Sequence, residues 1–139
     1  MAGSFQRRRD WRARLTDYLS RVARQRFRPG RHDCALFAAG AVEAMTGADP
    51  AAMWRGQYDT IEAGRAALAA EGWADHIAVA AALFPAVAPA LAGVGDLAVM
   101  PADYGERALG IVQGPGVYCL RPSGLVLADR LHMLEAFTI

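Results

Sequence analysis

Four consecutive residues, Arg31-His32-Asp33-Cys34, carry the side chains best suited to nucleophilic chemistry in this sequence. An apolar run typical of a helix follows Cys34, so the thiol is predicted to lie at a helix N-terminus. Unpaired backbone N–H groups and the helix dipole favour the thiolate there, which is the reactive form of cysteine. Asp33 is predicted to cap this helix and to fix the direction of the thiol. Cys34 is therefore a candidate nucleophile, with a buried packing cysteine as the alternative.

A thiol nucleophile needs a base, and histidine commonly provides it. The chain has three histidines. His132, predicted on the last strand, and His32, in the turn before the cysteine, are the two that we name as candidate bases. His76 is predicted in the first turn of a later helix, where we expect it to be exposed to solvent. The sequence spacing alone does not choose among the three.

The elements that must position these side chains differ between the two parts of the chain. About residues 8–92 are predicted to be helical, over 10–27, 34–47, a segment starting at Asp49-Pro50, 60–72 and 75–84. About residues 95–139 are predicted to form short strands, over 96–100, 108–112, 117–120, 125–127 and 131–137. Helices followed by strands with tight turns indicate an α+β fold with an antiparallel sheet. We expect one domain over residues 1–139.

Length and composition exclude several classes of protein. The chain has 139 residues, 54% of them hydrophobic, and a net charge of +1, which suits one globular domain and excludes a wholly disordered chain. Its two cysteines are too few for a disulfide scaffold, and Cys119 is predicted to pack in the interior. No Cys/His group has the spacing of a zinc site, so we expect no metal and no cofactor.

The sequence shows no segment typical of a membrane span or a secretion signal. The longest apolar stretch, residues 77–92, is interrupted by Pro85 and Pro89 and is shorter than the roughly 20 residues that cross a bilayer. No apolar segment follows the N-terminal arginines, as a secretion signal would require. We expect a protein that is made in the cytoplasm and does not insert into a membrane.

Arginine is concentrated in the first quarter of the chain, and the sequence contains no lysine. Our interpretation of this run is a solvated helix face. The alternative is a surface that contacts nucleic acid or an acidic partner. The near-neutral net charge argues against nucleic-acid binding, as does the lack of aromatic residues spaced between the arginines to stack on bases.

Three ordered segments resemble a known family. Residues 27–37, Phe-Arg-Pro-Gly-Arg-His-Asp-Cys-Ala-Leu-Phe, resemble the nucleophile segment of NlpC/P60-like papain-fold proteins. Residues 95–99 resemble the Gly-Asp-Leu strand of that family, and residues 108–114 resemble its His-Val-Gly-Ile strand. Residues 44–50 and 55–58 resemble segments of a phage- and prophage-associated branch, the DUF6950-type proteins. The resemblance covers roughly residues 10–139.

The resemblance implies a papain-like fold, with N-terminal helices packed on a C-terminal antiparallel sheet. It also implies a place in a phage tail or gene-transfer particle, with other tail proteins as partners and a virion or particle tail as the final location. Relatives in the wider family cleave peptide bonds in peptidoglycan, which makes this polymer a candidate partner.

One departure from the family pattern bears on activity. The base of active NlpC/P60-like enzymes opens the His-Val-Gly-Ile strand, and Ala108 stands at that position here. We therefore expect a catalytically impaired domain, a pseudoenzyme, with a structural or cell-wall-recognition role. The alternative is an active cysteine peptidase or amidase that cleaves peptidoglycan peptides with Cys34 as nucleophile. A third option is a transferase or amidase that uses the same cysteine on another acyl substrate.

Overall fold

Helices come first in this chain and strands follow, as the computed structural model shows for residues 5–139. Residues 1–4, which the single-domain prediction includes, lie outside the described residues. The helices are α1 (Trp11–Val22), α2 (Cys34–Thr46), α3 (Ile61–Ala70) and α4 (His76–Leu83). The strands are β1 (Ala86–Val87), β2 (Leu97–Pro101), β3 (Arg107–Val112), β4 (Gly116–Arg121), β5 (Gly124–Asp129) and β6 (Glu135–Phe137).

Helix α2 is the central helix, and its ends are fixed by local signals. The Asp33 carboxylate accepts a hydrogen bond from the backbone N–H of Leu36 (2.9 Å), which caps the N-terminus. Gly47 ends the helix with a φ of +87°, and its N–H donates to the carbonyl of Glu43. Most faces of α2 are buried, which fits its apolar composition, and Glu43 marks the exposed side.

The six strands form one antiparallel sheet in the order β1-β6-β2-β3-β4-β5. Strand β6 pairs with both β1 and β2, so the last strand of the chain is inserted into the sheet and β1 forms the edge. The structure is thus an α+β fold, with helices before an antiparallel sheet, as the sequence predicts.

Apolar side chains lie on both faces of the sheet. On one face, β-strand residues Leu109 and Ile111 join Phe37 of α2 and Ile77 of α4 in the main core cluster. A second cluster holds the alternate strand positions, among them Met100, Val112 and Cys119. The prediction that Cys119 packs in the interior is therefore confirmed, since the residue is 4% exposed. Alternation along the strands separates the two clusters.

One predicted element is wrong, and another begins later than predicted. The segment after Asp49-Pro50 forms turns and not a helix, because the Asp49 carboxylate accepts from the N–H of Ala51 (2.9 Å) and from Arg55 (2.8 Å). The strand predicted over 131–137 begins only at Glu135.

His132 consequently does not lie on the last strand. Residues Arg130–His132 form a 3-10 turn, which the Asp129 carboxylate caps by accepting from the N–H of Leu131 (2.9 Å). His132 is exposed in this turn.

One further boundary differs from the predicted one, and one strand was not predicted. Helix α1 ends at Val22, five residues before the predicted Phe27, and the two-residue strand β1 falls in the segment predicted to be helical. Among the described residues, no helix combines the length and the apolar character that crossing a membrane requires.

Candidate active site

The turn before α2 is built around the buried carboxylate of Asp33, which is 3% exposed. Besides capping the helix, Asp33 accepts hydrogen bonds on Oδ2 from the N–H of Gly30 (3.0 Å) and from the Tyr58 hydroxyl (2.5 Å). Gly30 has a φ of +81°, and a Cβ there would meet the carbonyl oxygen of Tyr58 at 1.7 Å, so glycine is required. These contacts fix Cys34 at the first position of the helix.

A histidine lies beside this cysteine. The Nε2 of His76 is 3.7 Å from the Sγ of Cys34, within hydrogen-bonding distance for sulfur. His76 is the first residue of α4, whose N-terminus Asp75 caps by accepting from the N–H of Ala78 (2.8 Å). The two side chains therefore occupy equivalent places, each directly after a capping aspartate at the start of a helix.

Burial holds this pair in its neutral form. Desolvation raises the pKa of the Cys34 thiol to about 11, and the Asp33 carboxylate adds to the rise, whereas the Ala35 and Leu109 backbones oppose it. Desolvation also lowers the pKa of His76, although the carboxylates of Asp75 and Asp33 oppose that shift. Both shifts favour a neutral thiol beside a neutral imidazole near neutral pH.

Both side chains border a cavity of about 420 Å³. One wall comes from α3, including Ile61 and Leu68, and the opposite wall comes from the ends of β2, β3 and β4. An ion pair between Arg65 and Glu106 (2.7 Å) joins the two walls at the surface. The volume suits a ligand of modest size, since such pockets usually measure about 300–1,000 Å³. Phe27, Trp54 and Tyr58 add aromatic surface.

Position 108 borders the same cavity, but it carries no proton acceptor. Ala108 pairs with Met100 in the β2–β3 ladder, and Met100 belongs to the second apolar cluster. Leu109, the next residue along β3, packs with α2 on the opposite face. The histidine that contacts the sulfur therefore comes from α4 and not from β3.

The two histidines named as candidate bases lie elsewhere. His32 is 3% exposed, and its Nε2 has no hydrogen-bond partner among the described residues. Its ring makes an edge contact with Phe37 (6.2 Å between centroids), and burial lowers its pKa. Within residues 5–139, neither His32 nor the exposed His132 borders the cavity or makes a hydrogen bond to Cys34.

In the structure Asp33 caps the helix that begins at Cys34, and His76, which we expected to be exposed, lies beside that cysteine. His76 is half-buried because α4 packs in the main core cluster. One local signal could have favoured it, since Asp75-His76 repeats the pattern of Asp33-Cys34, a capping aspartate followed by a candidate functional residue. The sequence could not show that the two helix starts meet.

The described residues contain no group of three His, Cys, Asp or Glu side chains that could hold a metal ion. The protein thus has an α+β fold in which a cysteine and a histidine meet at the N-termini of two helices, beside a cavity. The model of the DUF6950 family, described as a domain of unknown function, matches residues 6–139, and the chain belongs to this family. Comparison with curated proteins gives no match.

Proposed function

We propose that this chain is a papain-like cysteine hydrolase of the NlpC/P60 type that cleaves peptide or amide bonds, with peptidoglycan peptides as the first substrate to test. Cys34 is the nucleophile and His76 is the base. The observation that supports this most directly is the distance of 3.7 Å between Sγ and Nε2. A base at this distance is what a thiol nucleophile needs, and contacts in sites without substrate are often loose.

The proposed reaction has two stages. The thiol proton passes to Nε2 of His76 while the sulfur attacks the carbonyl carbon of the substrate. The imidazolium then gives this proton to the leaving amine, the C–N bond breaks, and a thioester on Cys34 remains. Water next gives a proton to His76 and attacks the thioester. The C–S bond breaks, the acid product leaves, and the proton returns to the sulfur.

The start of α2 offers stabilisation for the negative charge on the carbonyl oxygen. The N–H groups of Leu36 and Phe37 are occupied, because they donate to Oδ1 and the carbonyl of Asp33. The earlier N–H groups of Cys34 and Ala35 lie at the positive end of the helix, where no intrahelical acceptor exists. Removing one such donor commonly costs about 10²–10³ in rate.

A digestion experiment tests the proposal. Purified peptidoglycan is incubated with the wild type, with Cys34→Ala and with Cys119→Ala, and the released peptides are measured by mass spectrometry. We expect release by the wild type and by Cys119→Ala, and none by Cys34→Ala. Equal release by Cys34→Ala and the wild type would contradict the assignment of the nucleophile.

The second candidate function is a catalytically impaired domain with a structural or recognition role in a phage-type tail. The raised pKa of Cys34, about 11, favours it, because few thiolates exist at neutral pH. Its predicted result is no peptide release by any of the three proteins, together with retained binding to peptidoglycan in a sedimentation assay. The place in a tail particle rests on the family resemblance alone and remains a prediction.

A further inference from the structure

Positive charge is unevenly distributed along this chain. Residues 7–31 contain ten of the 15 arginines and two of the 14 acidic residues, Asp10 and Asp17. The remainder has five arginines and twelve acidic residues. The net charge of +1 therefore hides one strongly basic segment in an otherwise acidic molecule. Such segregation creates a local positive potential that attracts anions.

Not all of these arginines are available for a partner. Arg7 binds the Asp96 carboxylate (2.7 Å), Arg14 binds Asp10 (2.8 Å), and Arg12 lies over the Trp11 ring.

The arginine loop, defined here as residues 24–31, is different. Its four arginines are exposed, and none of them makes an ion pair with the residues described in the structure: Arg24, Arg26, Arg28 and Arg31.

The end of this loop is held in place by the backbone. The N–H of Arg28 donates to the carbonyl of His32, and the N–H of His32 donates back to the carbonyl of Arg28, both at 2.8 Å. The N–H of Gly56 donates to the carbonyl of Gly30 (2.8 Å), which ties the loop to the segment before α3. Arg28 and Arg31 are therefore presented from an ordered turn, so less conformational entropy is lost when an anion binds.

The arginine loop also adjoins the cavity of the candidate active site. A surface cleft lined by Arg26, Arg28 and Arg31 includes Phe27, and Phe27 borders the cavity as well. A second cleft, which Arg28 and Arg31 share with residues 56–59, includes Tyr58, another residue on the cavity wall. A chain that leaves the cavity past Phe27 or Tyr58 therefore meets guanidinium groups.

We propose that the arginine loop is an anion-binding subsite that takes an acidic peptide segment, joined to the peptide whose bond is cleaved at Cys34. The peptide chemistry rests on the proposed function, and the charge of the segment follows from the four exposed arginines. Guanidinium groups bind carboxylates through paired hydrogen bonds. Nucleic acid fits less well, because Phe27, the one aromatic residue of the loop, is half-buried against the core.

Binding is measured in the Cys34→Ala protein, so that no turnover occurs. The probe is a fluorescent oligoglutamate peptide, with an oligoglutamine peptide of equal length and a thymidine oligonucleotide as comparisons. The loop variant carries Arg26→Gln, Arg28→Gln and Arg31→Gln. The matched control carries Arg9→Gln, Arg12→Gln and Arg21→Gln on or beside α1, which changes the net charge by the same amount.

We expect the loop variant to bind oligoglutamate about tenfold more weakly, as the loss of three exposed ion pairs implies, and the control to change by less than about twofold. Added salt should weaken binding to the unmutated loop more than binding to the loop variant.

Three results would overturn the proposal: equal losses in both variants, equal binding of oligoglutamine, or tighter binding of the oligonucleotide than of oligoglutamate. The binding assay does not depend on catalysis. Specific binding of oligoglutamate, together with no peptide release by the wild type in the digestion experiment, would therefore support the subsite and reject only the proposed function.

Discussion

The two cysteines of this chain border the same cavity but lie in different chemical surroundings. Cys34 stands at the start of a helix with a histidine nitrogen 3.7 Å from its sulfur. Cys119 lies in the middle of strand β4, within the second apolar cluster. Burial raises the pKa of both thiols. What Cys34 has and Cys119 lacks is a neighbouring proton acceptor, a place at a helix start and partial exposure to solvent.

A thiol in the middle of a strand and a thiol at a helix start therefore have different hydrogen-bond donors and acceptors nearby. In β4 the backbone N–H and carbonyl groups are used by neighbouring strands. At the start of α2 the first N–H groups have no acceptor within the helix, and the Cys34 sulfur lies beside His76 at the start of α4. Four predictions test how far this difference determines reactivity.

The largest effect is expected for His76. Replacing it by Gln keeps a polar side chain of similar reach but removes the proton acceptor, so kcat/KM for peptide release should fall by about 10²–10⁴. His132→Gln, at an exposed histidine outside the cavity, is the control and should match the wild type. A His76→Gln protein with unchanged kinetics would end the assignment of His76 as the base.

The two thiols should differ in their rates of alkylation. With iodoacetamide near neutral pH, we expect Cys34 to react faster than Cys119 by about tenfold or more, because His76 can take its proton. The rates follow from mass spectrometry of the two cysteine-containing peptides over time. In His76→Gln the Cys34 rate should fall while the Cys119 rate stays the same. Similar slow rates for both thiols in the wild type would show that the difference in surroundings has no chemical consequence.

The Tyr58 hydroxyl is expected to stabilise the surroundings of Cys34 and not those of Cys119, because it donates to the capping Asp33. Tyr58→Phe removes one of the three donors to the buried Asp33 carboxylate, and a hydrogen bond to a charged group contributes about 1.5–3 kcal/mol. We expect the free energy of unfolding in urea to fall by about 1.5 kcal/mol. Tyr118→Phe in β4 is the matched control, since its hydroxyl makes no hydrogen bond with the described residues, and it should change stability little. Equal losses in the two variants would show that the hydrogen bond from Tyr58 to Asp33 contributes nothing beyond the loss of a hydroxyl group.

The smallest effect is a dependence of stability on pH. Burial lowers the pKa values of His76 and His32, so the unfolded chain takes up protons at a higher pH than the folded one. The contribution of these residues to stability is present above about pH 6.5, the ordinary histidine pKa, and is lost as the pH falls through their folded pKa values.

Urea unfolding at about pH 7.5 and about pH 5 measures this dependence, and acid should lower the stability of the wild type more than that of His76→Gln. An identical loss in both proteins would show that His76 does not contribute. At alkaline pH, Cys34 gives the opposite dependence. Because its pKa is raised in the folded state, the free energy of unfolding should fall as the pH rises from about 9 towards about 11.

Much of the secondary structure follows from local signals in the sequence. Asp33, Thr60 and Asp75 each accept a hydrogen bond from the N–H three residues later, and each begins a helix where the pattern predicts one. The same signal failed at Asp49, whose carboxylate is shared between Ala51 and Arg55 and closes a turn. Strand β1 was missed because two residues carry too little alternation to be recognised.

The sequence by itself determined that Cys34 begins a capped helix, because capping depends on hydrogen bonds between residues three apart. It could not determine which histidine meets that cysteine. Cys34 and His76 are 42 residues apart, and they meet only because α2 and α4 pack on the same face of the sheet. A contact of that kind depends on how whole elements bury their apolar surfaces, so only the tertiary structure decided it.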